Sequence, residues 1–92
     1  MSKNFNELLP IGSVIHVKGA NKNMMVVGTA VIAENTEYDY MGVLYPEGYV
    51  DNNHTYLFNH DDIDKVLFLG YVDSEMQVFR TKIVEQEKNG NK

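Results

Sequence analysis

The chain has 92 residues, 43% of them apolar and 23% charged, which is one soluble-type domain with a single modest core and no room for a second. It contains no cysteine, so a disulfide framework and a thiolate metal site are both excluded. The net charge of −5 is unevenly placed: residues 34–64 hold eight acids and neither lysine nor arginine, while the flanking segments are slightly basic. Such a block repels nucleic-acid phosphate and anionic lipid and favours a basic partner. No apolar run is long enough for a signal peptide or a membrane span, so the expectation is a soluble, cytoplasmic protein.

Taken in chain order, residues 2–7 are polar and expected to be loose, with Phe5 docking back. In Leu8-Leu9-Pro10-Ile11-Gly12 the proline biases Leu9 towards an extended backbone, as an entry segment needs. Ser13–Lys18 (SVIHVK) is short, β-branched and alternating, which predicts a strand. Gly19–Asn23 is turn chemistry, and Met24–Ala33 (MMVVGTAVIA) predicts a second strand closing a hairpin. Gly28 within it marks a bulge or bend that would let a small sheet curl.

Glu34-Asn35-Thr36 predicts a turn, and Glu37–Tyr45 (EYDYMGVLY) a third strand. Its alternation sets Tyr38, Tyr40, Gly42 and Leu44 on one face and Asp39, Met41, Val43 and Tyr45 on the other. Pro46-Glu47-Gly48 is a turn with glycine free to take a positive φ. His54–Phe58 predicts a fourth strand, and Asn59–Lys65 a helical turn capped by Asn59 with its acids at the positive end. Val66–Tyr71 (VLFLGY) is continuously apolar and predicts a central or doubly covered strand. Ser74 and Gln77 fit a capping box, and Val72, Met76, Phe79 and Ile83 form a stripe at helical spacing. A helix from Ser74 to Glu87 capping the sheet follows, with a hairpin at Asp73-Ser74 as its competitor and a disordered tail over 88–92. The fold class is α+β, mainly β: a small, strongly curved antiparallel sheet or open barrel of four to five strands with a C-terminal helix.

Candidate chemistry is sparse. His54 and His60 flank Asp61, Asp62 and Asp64, but this run lacks the ligand grammar of a calcium loop, and two histidines without cysteine are a poor start for zinc. The serines at positions 2, 13 and 74 have no evident base, and the glycines form no phosphate cradle. No cofactor, metal or reaction is expected. The feature that stands out is YDYMGVLYPEGY at 38–49, which combines four tyrosines with carboxylates. Its bland reading is a strand ending in a turn. Its functional reading is an acidic, aromatic docking face built from Tyr38, Asp39, Tyr40, Tyr45, Glu47 and Tyr49, with Asp61 and Asp62 as rim charge. Two rivals are a self-associating structural protein, paired through exposed sheet edges, and an enzyme using Asp39 or the His60-Asp61-Asp62 cluster.

Leu9-Pro10-Ile11-Gly12-Ser13-Val14, Lys18-Gly19, the Met24–Gly28 strand, Asp39-Tyr40, Gly42, Pro46-Glu47-Gly48, Phe58-Asn59, Ile63, Val66 and Gly70-Tyr71-Val72-Asp73 together resemble domain-of-unknown-function family 4176. The resemblance spans about residues 8–80, and order and spacing carry it more than any single piece. It implies a small protein of low-GC Gram-positive bacteria, encoded near type VIIb secretion genes and toxins with an LXG domain. It further implies, for some members, a cytoplasmic chaperone or targeting role for such a toxin, with no catalytic residues. This chain has Thr29 after Gly28, where the family commonly carries a basic residue, so partner specificity there is expected to differ.

Overall fold

The computed structural model describes residues 8–90, with side chains to Ile83. Five strands form one antiparallel sheet: β1 (Val14–Val17), β2 (Met24–Ala33), β3 (Thr36–Leu44), β4 (Thr55–Phe58) and β5 (Ile63–Phe68), in the order β4-β3-β2-β1-β5. One helix, α1 (Ser74–Gly90), follows. The sheet is open, and the competing C-terminal hairpin does not form. The expected N-terminal docking by Phe5 lies outside the described residues. So do the last two residues of the expected tail, of which 88–90 are instead helical.

Local chemistry accounts for most of these elements. Glu34 and Asn35 both take positive φ (51° and 65°), as the two-residue turn between twisted strands requires, and this pins Ala33 opposite Thr36. The expected irregularity near Gly28 is a β-bulge: Val26 pairs with Gly42 and Gly28 with Met41, leaving Val27 as the extra residue. β1 and β2 form the expected hairpin, with a short ladder. They pair through Val14↔Met25 and Ile15↔Met24, while the other side of β1 pairs with β5 along its whole length, from Val14↔Phe68 to Val17↔Ile63. After β3, Gly48 at φ 78° returns its N–H to the Leu44 carbonyl at 2.7 Å, and Tyr45–Pro46 is cis.

The core lies against one face of the sheet. Leu8, Leu9, Ile15, Met24, Val26, Tyr40 and Phe58 are buried there, with Val17, Leu44, Tyr56, Ile63 and Ile83 packed around them. The Tyr40 and Phe58 rings sit 5.6 Å apart. Fully burying aliphatic side chains of this size stabilises by about 1.5–3 kcal/mol each. Tyr40 and Leu44 thus share the face that packs this cluster, but the opposite face of β3 is covered too, with Val43 1% and Asp39 7% exposed.

Three expectations are corrected. The apolar run at 66–71 is neither central nor doubly covered: β5 is an edge strand, and Val66, Leu67 and Phe68 are at least half exposed. Helix α1 is not capped by Ser74. Asp73 occupies that position and its Oδ1 accepts the Met76 N–H at 2.9 Å. The inward stripe of α1 is Met76, Arg80 and Ile83, with Phe79 40% exposed, so the aliphatic stem of an arginine stands where an aromatic was expected.

Candidate functional site

The tyrosine-rich stretch is divided by the fold. Tyr40 is wholly buried: its hydroxyl accepts the Leu9 N–H at 2.9 Å and lies 2.7 Å from His60 Nδ1. Asp39 is also buried. Its N–H donates to Asn59 Oδ1 at 3.0 Å, and its Oδ2 accepts the His60 N–H at 2.8 Å. These two residues fasten the β4–β5 crossover and the entry segment to β3, and so they are removed from the docking face. Tyr38 is half-buried on β3.

Asp61 and Asp62 lie in a single 3-10 turn (His60–Asp62) and are exposed. Asp62 Oδ2 accepts the Asn59 N–H at 2.9 Å, which is the turn-starting chemistry expected of this run. The turn sits beside Asp39 at the start of β3, whereas Tyr45, Glu47 and Tyr49 follow its end. A strand rise of ~3.3 Å per residue separates the two groups by roughly 20 Å. The structure therefore does not join all eight predicted residues into one face.

What survives as a compact surface is the loop at 45–51. Tyr45 is 49% and Tyr49 63% exposed, with Val50 beside them. The loop is preorganised. Its Tyr45 N–H donates to the Asn23 carbonyl at 3.0 Å, Tyr49 Oη donates to Asn52 Oδ1 at 2.8 Å, and Glu47 Oε2 lies 3.1 Å from Lys22 Nζ. Its own backbone N–H and then Lys22 hold the Glu47 carboxyl below its ordinary range. Asp51 caps the short turn at 52–54 by accepting the Asn53 N–H, and the His54 ring 2.6 Å away holds it low as well. Two exposed tyrosines thus stand among carboxylates kept ionised. That suits recognition of cations, by ion pairing at the acids and by cation–π contact over the rings.

A second surface was missed. Val66, Leu67, Phe68 and Leu69 are 50–62% exposed and Tyr71 80%. Leu67 and Phe68 also line a concavity of about 500 Å³ with Gly12, Val14, Asn23, Met25 and Tyr45 on the outer sheet face. The signal was present in VLFLGY, but an uninterrupted apolar run looks the same whether its cover is in the chain or elsewhere.

His16 is half-buried in β1, and it forms a clip. Its Nδ1 lies 2.8 Å from Asp64 Oδ1 and its Nε2 2.9 Å from the Ala20 carbonyl. Both neighbours accept, so the doubly protonated ring satisfies both contacts, and the Asp64 bond foremost and then the Ala20 bond raise the pKa of His16. Among the described residues, no three histidine, aspartate or glutamate side chains are grouped so as to hold a metal ion, and no helix is long and apolar enough to cross a membrane.

Fold and site describe a small open-sheet domain carrying an ordered, acidic aromatic loop. The family model described as "Domain of unknown function (DUF4176)" matches residues 8–79, and the chain belongs to that family. No curated protein and no solved structure matches the chain.

Proposed function

We propose that this protein is a non-enzymatic protein-binding module, acting in the cytoplasm as a chaperone or targeting factor for a toxin exported by a type VIIb secretion system. The observation that carries the binding role is the loop at 45–51, where the exposed Tyr45 and Tyr49 alternate in sequence with the exposed carboxylates of Glu47 and Asp51. Tyrosines offer large contact area at low entropic cost, and the surrounding acids steer a basic segment onto them. Asp61 and Asp62 add long-range attraction from a separate turn rather than rim contacts. The toxin as client follows from what the family resemblance implies, and the acidic middle third agrees with a basic one. The test is co-production with LXG-domain toxins: the toxin should co-purify with the wild-type chain, dissociate with rising salt, and be lost with Glu47→Gln combined with Tyr49→Ala.

A further inference from the structure

The apolar row on β5 is chemically unlike the loop. From Val66 to Val72 there is no charged residue, and five of the side chains from Val66 to Tyr71 are half or more exposed. Taken with the size of leucine, phenylalanine and tyrosine side chains, those exposures sum to on the order of 500 Å² of mostly apolar surface, with Leu67 and Phe68 facing the hollow beside Tyr45 and Val66 a separate one beside Asp64. Ile11 (51% exposed) and the concavity behind Leu67 and Phe68 extend it.

We infer that this surface is the contact between two copies of the chain, related by a two-fold axis through β5. Two copies of the row bring together roughly 1,000 Å², where specific interfaces begin, and Val14, Met25 and Tyr45 in the concavity add to that. Charge permits a second copy here. No acid lies from Val66 to Val72, and Asp64 on β5 is paired with His16 at 2.8 Å, so a second chain of net charge −5 is tolerated on this stretch. A basic partner would gain nothing from a strip that carries no acid.

The contact packs side chains and does not extend the sheet. β5 departs from regular pairing with β1 twice in six residues: Val14↔Phe68 is followed by Ile15↔Val66, and His16↔Lys65 by Val17↔Ile63. Leu67 and Asp64 are therefore extra residues. Bulges of this kind twist an edge away from strand addition. They also place Leu67 and Phe68 together against the concavity, so the apolar side chains of one copy can be set into the hollow of the other. Tyr45 apart, this surface uses none of the predicted docking residues.

Light scattering on a sizing column, with loadings from about 1 to about 200 μM, reads the contact directly in the micromolar range. The wild-type chain should show twice its 10.5 kDa mass at high loading and dissociate on dilution. Leu67→Lys and Phe68→Glu, at exposed positions where folding can be verified by circular dichroism, should each remain at the single-chain mass, while Tyr49→Ala should dimerise as the wild type does. A wild-type chain that stays single at every loading overturns the inference, including the case in which the row instead holds a client or a small apolar ligand. So does a dimer that persists in both folded row variants, or growth into an open series of larger species. Dimerisation and toxin capture are read separately, so either can fail alone.

Discussion

Ser13 Oγ accepts the N–H of Gly70 at 3.0 Å, joining positions 57 apart, and donates its own proton to the Pro10 carbonyl at 2.8 Å. Both residues are buried, and a Cβ built on Gly70 would stand 2.3 Å from the Ile11 carbonyl oxygen. The Leu9–Val14 and Gly70–Asp73 pieces of the family resemblance thus meet in space, where Ser13 and Gly70 lock the entry segment against the exit of β5. Ser13→Ala should cost about 1–3 kcal/mol by stranding a buried N–H. Gly70→Ala should cost about 1–3 kcal/mol or more, because backbone must move. Urea unfolding of the two variants checks both values.

Tyr40 provides a contrast between core and surface. Tyr40→Phe keeps the ring against Phe58 but removes the hydroxyl that accepts the Leu9 N–H and meets His60. A loss of about 1–3 kcal/mol in stability is expected, with client binding intact once the variant is folded. Thermal melting beside a binding assay at low temperature separates the two effects. Lost binding in a well-folded Tyr40→Phe would return this residue to the docking face.

The His16–Asp64 clip predicts a pH dependence. His16 is raised above its ordinary 6.5, so its contribution is fully present below that value and fades as pH rises through the raised one. Asp64 is lowered from 3.8, chiefly by the His16 bond, so its contribution holds above that value and is lost as pH falls through the lowered one. The difference in melting temperature between wild type and His16→Gln should therefore be greatest in the weakly acidic range and shrink towards pH 9. A difference independent of pH would show that the pair does not act as a charged clip.

Much of the fold was legible because its signals are local. β2 has the bounds expected of it, the turns at Glu34-Asn35 and Gly48 follow from residues that accept positive φ, and the bulge lies beside Gly28. What could not be read locally was strand order. Placing β5 outside β1 turned an apolar run from presumed core into exposed edge. The candidate site divided for the same reason. Alternation grouped Tyr38 with Tyr40, but the burial of Tyr40 and Asp39 depends on Leu9 and the 59–60 crossover, which lie far away in sequence. Tyr45, Glu47 and Tyr49 remained together because one short loop carries all three.

Glu47 and Lys22 supply a further check on that loop. Lys22→Ala removes the partner of Glu47 without touching either exposed tyrosine. An exposed pair of this kind contributes about 0–1 kcal/mol, so stability should barely change. Removing the cation also frees the carboxylate, and capture of a basic partner at low salt should be kept or strengthened. Weakened capture would mean that Lys22 itself contacts the partner.

The docking claim is tested most directly by co-producing the tagged chain with an LXG-domain toxin and measuring how much toxin is retained as salt is raised. The loop predicts stoichiometric, salt-sensitive retention by the wild-type chain and by the monomeric Phe68→Glu variant, with little retained by folded Glu47→Gln/Tyr49→Ala. Equal retention by that double variant, or loss confined to Phe68→Glu, would contradict it.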